Sequence, residues 1–122
     1  MHFRCLVVDD NQRFLEVARR SLERQGLDVV ATAETIDSAL EAVAALMPDV
    51  ILVDVSLGRE SGFDLVRRLA EHFPDLTGRI IMISTRAAED YTELMEDTPA
   101  AGFLAKSALS VAAIRALIPG LP

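Results

Sequence analysis

Val50-Ile51-Leu52-Val53-Asp54 is an unbroken apolar run closed by a carboxylate. No polar residue alternates within it, which is the pattern of a central parallel strand covered on both faces. The carboxylate falls where such a strand leaves the core. The layout recurs on either side along the chain. Phe3 to Val8 ends in Asp9-Asp10, Asp28 to Ala33 in Glu34, Arg79 to Ile83 in Ser84-Thr85, and Ala101 to Ala105 in Lys106.

Between these runs lie longer segments with helical spacing. Asn11 to Gln25 carries Phe14, Leu15, Ala18 and Leu22 on one face, and Gly26 stops it. Thr35 or Asp37 caps a second helix running to about Met47, with Ile36, Leu40, Val43 and Leu46 inward and Pro48 at its end. Ser61 precedes a third to about Phe73, carrying Phe63, Leu65, Val66 and Leu69 before Pro74. Ala87 to Met95 reads as a fourth with a poor apolar stripe, and Leu109 to Ile118 as a fifth before Pro119-Gly120. Five βα units in series predict an α/β fold: a five-stranded parallel sheet flanked by five helices, with right-handed crossovers. For this length and rhythm the expected strand order is 2-1-3-4-5.

A chain of 122 residues reads as one domain, 1–122, and an apolar fraction of 51% argues against disorder. Its apolar runs fall far short of the ~20 residues of a membrane span. Met1 to Leu6 has no signal-peptide layout, so a cytoplasmic location is expected. A net charge of −7 argues against nonspecific nucleic-acid binding, which needs Lys and Arg against phosphates. Cys5 sits in an apolar strand and reads as a buried reduced thiol; His2 and His72 carry little signal.

In an open parallel sheet the C-terminal strand ends line the ligand crevice. Asp9, Asp10, Asp54, Ser84 and Lys106 would then converge on one small region. Clustered carboxylates are costly without a cation. Hard oxygen ligands suit Mg²⁺, whereas the Cys/His set that zinc needs is absent. With the metal and Lys106 supplying positive charge and Ser84 a hydroxyl donor, the site is balanced for a tetrahedral anion. Phosphoryl transfer depends mostly on such positioning and neutralisation. Asp54, between the metal carboxylates and the lysine, is the candidate nucleophile, and its attack on phosphorus gives an acyl phosphate. Each residue also has a plain structural reading: Asp9-Asp10-Asn11 as a helix cap, Asp54 as a turn, Ser84 as a cap, Lys106 as a solvated strand end. Their joint arrangement favours the chemistry.

The chain resembles the receiver domain of two-component response regulators, including the stand-alone chemotaxis-regulator type. The resemblance spans its length and rests on Leu6 to Asn11, Val50 to Val55, Ile83-Ser84-Thr85, Gly102 to Lys106, and Gly62 eight residues after Asp54. It implies the flavodoxin-like receiver fold and a signalling phosphoacceptor rather than an enzyme acting on other molecules. Asp54 would take the phosphoryl group from a sensor histidine kinase or phosphotransfer protein. Asp9, Asp10, Asp54 and the Ser56 backbone carbonyl would hold Mg²⁺. Lys106 would contact the phosphoryl group, and Ser84 with Phe103 would form the switch. Readout would fall on the fourth helix, fifth strand and fifth helix, acting on a target protein or an output domain, with a homodimer through the fourth-to-fifth-helix face as one option. Ser56 and Arg86 occupy positions that tune phosphoryl lifetime in the family.

The departures are specific. Ser107 stands where a proline after a cis peptide is frequent, Leu57-Gly58 replaces a frequent loop proline, and Phe103 lacks a tyrosine hydroxyl. A cis bond before Ser107 would cost ~2.5–4 kcal/mol and is not expected. Two rival readings fit less well. A silent receiver-like module usually lacks the acidic pair, the phosphoacceptor or the lysine. A haloacid-dehalogenase-type phosphatase needs two aspartates separated by one residue, which neither Asp9-Asp10 nor Asp54-Val55-Ser56 provides. Pro119-Gly120-Leu121-Pro122 suits either a stand-alone regulator or the receiver of a longer one.

Overall fold

The computed structural model describes residues 3–85 and 97–121. In chain order the elements are β1 (Arg4–Val8), α1 (Gln12–Arg24), β2 (Asp28–Ala33), α2 (Ile36–Leu46), β3 (Val50–Asp54), β4 (Ser56–Leu57), β5 (Glu60–Ser61), α3 (Gly62–His72), β6 (Ile80–Ser84), β7 (Gly102–Ala105) and α4 (Val111–Leu117). Five strands form one parallel sheet in the order β2-β1-β3-β6-β7. This is the expected topology; the two-residue strands β4 and β5 pair only with each other, antiparallel, and add two numbers without widening the sheet.

The uniform apolarity of β3 has a direct structural cause. Ile51 and Val53 face a core layer shared with Leu6, Val8, Ile80 and Met82 under α2 and α3. Val50 and Leu52 face the opposite layer with Cys5, Val7, Ile81 and Ile83 under α1 and α4. Side chains alternate along a strand, so a strand covered on both sides needs apolar residues at every position. Burial pushes the Cys5 thiol pKa up, in keeping with an inert core residue.

Most helix ends follow local chemistry. The Asn11 side chain accepts from the Phe14 N–H at 3.1 Å and opens α1. Thr35, rather than Asp37, caps α2 in a reciprocal box with Ser38. Ser61 caps α3 and Ser110 caps α4. Gly26, at φ 90, follows the end of α1. Met47 closes α2 in the left-handed region at φ 45 before Pro48. Here Arg4 reaches across the sheet, donating from Nη1 to the Leu46 and Met47 carbonyls at 2.7 and 3.2 Å.

Several boundaries move from the sequence expectation. Phe3 precedes β1 but is 1% exposed, and its carbonyl accepts from the Asp28 N–H of β2 at 3.3 Å, so its apolarity reflects burial beside the strand start. The last helix begins at Val111, not Leu109, because Lys106–Ala108 form a 3-10 turn and Leu109 and Ser110 are extended. Ile114 and Ile118 are buried, and Leu109, Val111 and Leu117 pack against the same layer. Four α-helices stand among the described residues, against the five expected; the helix expected over 87–95, and Arg86, lie outside them. No cis peptide occurs among the described residues, Lys106–Ser107 included. No helix among them is long and apolar enough to cross a membrane.

Candidate functional site

Register brings the strand ends together. Val8 lies beside Val53, Asp54 beside Ile83, and Ser84 beside Ala105. Asp9, Asp54, Ser84 and Lys106 therefore emerge at one edge of the sheet. Asp9 is wholly buried, Asp54 and Ser84 nearly so, and Asp10 is exposed. Ligand-atom positions on the Asp9, Asp10 and Asp54 carboxylates all lie within 4.8 Å of one another.

Each carboxylate is aimed by a different contact. Asp9 Oδ1 accepts from the Asn11 N–H at 2.9 Å. Its Oδ2 lies 2.5 Å from Lys106 Nζ, a buried ion-pair contact. Asp54 is held more loosely: Oδ2 is 3.4 Å from Lys106 Nζ, and Oδ1 is 3.5 Å from the Ser56 N–H. Asp10 Oδ2 approaches Gly58, whose φ of +65 turns the loop after Asp54 back over the site. Both distances at Asp54 sit at the weak end of hydrogen bonding.

Electrostatics sharpen the contrast. Burial, then the neighbouring Asp9 charge, raises the Asp54 pKa from 3.8 to about 6, against the opposing pull of Lys106 and the Ser56 N–H. Crowded carboxylates of this kind gain from a cation among them. Three carboxylates within 4.8 Å of one another form an oxygen-only donor set that fits a hard divalent ion.

The structure thus brings together Asp9, Asp10, Asp54 and Lys106 by direct geometry, with buried Ser84 on the adjoining strand end. Ser56 is exposed and pairs across the β4–β5 hairpin with Ser61, leaving its backbone beside the acidic group. Phe103 is half-buried and packs against the layer under α2 and α3. Gly62 matters more than its spacing suggested: a β-carbon there would lie 1.9 Å from the Asp54 carbonyl oxygen. Phe14 was expected in the core but lies at its rim, with Lys106 Nζ 4.2 Å from its ring centroid. Its place one turn beyond Asp9-Asp10 was the only sequence signal for that contact.

A family model for the response regulator receiver domain matches residues 5–118. The chain belongs to this family. The receiver is 32% identical over 113 residues to the transcriptional regulatory protein DegU of Brevibacillus brevis, covering 92% of this chain and 47% of that protein. It therefore spans less than half the length of that relative. A LuxR-family two-component response regulator from Aurantimonas sp. SI85-9A1 superposes with a TM-score of 0.86 at 25% identity, over 98% of this chain and 87% of that one. A response regulator from Burkholderia pseudomallei, with a phosphorylated aspartic acid, calcium ion and citrate, superposes with a TM-score of 0.78 at 34% identity. That match covers 94% of this chain and 66% of the other.

Proposed function

We propose that Asp54 accepts a phosphoryl group from a phosphohistidine on a sensor histidine kinase or phosphotransfer protein, and that residues 1–122 act as one signalling phosphoacceptor. The observation that carries this reading is the state of Asp54. It ends the central strand, it is nearly buried, and its contacts to Lys106 and the Ser56 N–H are long, at 3.4 and 3.5 Å. Its carboxylate is desolvated yet loosely held, which suits a nucleophile. The phosphorylated aspartic acid in the Burkholderia pseudomallei relative supports the same assignment.

In the transfer an Asp54 Oδ–P bond forms as the donor's N–P bond breaks, and the imidazole leaves with the electron pair. Lys106 draws the phosphoryl oxygens toward the site and offsets their charge. Asp9 holds Lys106 by the contact at 2.5 Å and is itself aimed by the Asn11 N–H. Mg²⁺ would be held by Asp9, Asp10, Asp54 and the Ser56 carbonyl, and when bound supplies positive charge to the transferring group. Ser84 then donates its hydroxyl to the modified Asp54, and Phe103 shifts its packing in response. The change is read on the 87–95 segment, β7 and α4, by a target protein, an output domain or a second copy of the chain. Ser56 and Arg86 are assigned to the lifetime of the acyl phosphate.

Mg²⁺ with acetyl phosphate or beryllofluoride provides the test. A mass increase of one phosphoryl group, lost in Asp54→Asn, is the expected result. Turnover of phosphate esters, or no modification at all, would overturn the reading.

A further inference from the structure

We infer that Phe14 is a positioning residue for this phosphoryl transfer, holding the Lys106 ammonium over the site through a cation–π contact; the inference rests on Asp54 being the phosphoacceptor. Lys106 Nζ lies 4.2 Å from the Phe14 ring centroid. Attraction to the ring face extends to roughly 6 Å and strengthens when the pair is removed from water. The Lys106 side chain is only 13% exposed.

A lysine is a compact charge on a flexible stem, so its aim has to come from its neighbours. Its ammonium has three donors. Asp9 at 2.5 Å and Asp54 at 3.4 Å supply opposite charge, and the Phe14 ring closes a further side. The shorter contact is to Asp9, so the carboxylates alone would favour Asp9 over Asp54. The ring adds a fixed wall with a negative face, which limits how far the ammonium can drift and how much water reaches it.

The local sequence sets both partners at once. Asn11 donates its N–H to Asp9 Oδ1 at 2.9 Å and accepts the Phe14 N–H on its side chain at 3.1 Å. One helix cap therefore aims the carboxylate that grips Lys106 and the ring that covers it. Core filling accounts for only part of the placement: Phe14 is half-buried against the layer that Leu15, Ala18 and Leu22 enter fully, and its ring also faces Lys106.

The experiment compares Phe14→Leu, which keeps apolar bulk without a π face, with Phe14→Tyr, which keeps the face. The readout is the rate at which Asp54 takes the phosphoryl group from acetyl phosphate, an Oδ–P bond forming as acetate leaves with the electron pair. Phe14→Leu is expected to slow this about fivefold, and Phe14→Tyr to stay within about twofold of wild type. The ring-current shift of the Lys106 Hε protons should vanish in Phe14→Leu and persist in Phe14→Tyr. In a Lys106→Ala background, Phe14→Leu should cause no further slowing. A wild-type rate in Phe14→Leu, or equal slowing with and without Lys106, overturns the role of Phe14. Absence of any phosphoryl group on Asp54 in the wild-type chain overturns instead the phosphoacceptor reading beneath it.

Discussion

Gly62 packs so closely on Asp54 that a β-carbon at Gly62 would fall 1.9 Å from the Asp54 carbonyl oxygen and 2.9 Å from its carbonyl carbon. The Gly62 N–H also donates to the Val55 carbonyl at 2.8 Å, so the start of α3 is tied to the backbone that carries the acidic site. Neither side of this contact is a flexible side chain. Gly62→Ala must therefore move the backbone of Asp54, and it should destabilise the fold by about 1–3 kcal/mol. Urea unfolding checks the stability, and beryllofluoride titration checks the site. A variant with unchanged stability and unchanged affinity would mean that α3 can retreat from Asp54 at no cost.

The raised pKa of Asp54 predicts a pH-dependent gain from its removal. With a folded value of about 6 against 3.8, the proton binds more tightly to the folded chain. Stability from this group is fully present below the unfolded value and is lost as pH rises through about 6. At neutral pH without metal, ionised Asp54 therefore costs stability that an amide does not. Asp54→Asn should raise metal-free stability near neutral pH, on the order of 2 kcal/mol, with the gain shrinking as pH falls toward 4. Paired urea titrations across this range provide the measurement. A constant difference across the range would count against the shift.

Glu60 predicts a link between the loop after Asp54 and α2. Its Oε1 accepts from the Ile36 N–H at 3.1 Å, serving one of the free amides at the start of that helix. Thr35 and Ser38 serve others in their own box, so α2 should survive the loss of Glu60. Glu60→Ala should cost about 1 kcal/mol. Hydrogen exchange at the Ile36 amide should speed up by more than at Ala39, whose N–H bonds to the Thr35 carbonyl. Equal changes at both amides would point to general loosening instead.

Such contacts also mark where the sequence stopped being legible. The inner strands were readable because two-sided burial forces continuous apolar runs, whereas the edge strand β2, with Asp28 and Thr32 exposed, and the strand order were readable from the βα rhythm. The site was readable because the runs end in charged or hydroxyl residues. Glu60 to Ile36, Arg4 to Leu46 and Gln25 to Val111 are different: they join residues 24, 42 and 86 positions apart. A single polar side chain reaching a distant backbone leaves no periodicity. The β4–β5 hairpin is too short to show alternation, and its turn depends on Gly58 at φ +65. Met47 at φ 45 runs against residue preference, since Pro48 looked like the stop and the left-handed turn precedes it. Phe14 fitted an apolar helix face, and apart from its place one turn beyond Asp9-Asp10 nothing told core filling from a ring set against Lys106.

The acidic cluster makes a joint prediction about metal and protons. If Asp9, Asp10 and Asp54 hold Mg²⁺, binding must compete with the proton that Asp54 retains up to about pH 6. Affinity should rise as pH rises through that value and flatten above it, with protons released on binding near it. Calorimetry at one pH in buffers of different ionisation enthalpy measures the release directly. Saturating Mg²⁺ should also raise the unfolding free energy, by ~2.7 kcal/mol at a hundredfold excess over the dissociation constant. Asp10 is exposed and bears no core load, so Asp10→Asn should remove most of that gain while leaving metal-free stability nearly unchanged. Pairing with Lys106 already offsets part of the Asp9 and Asp54 charge, which leaves Asp10 as the carboxylate with most to gain from the ion. An affinity that stays constant with pH would remove Asp54 from the ligand set, and an undiminished gain in Asp10→Asn would remove Asp10.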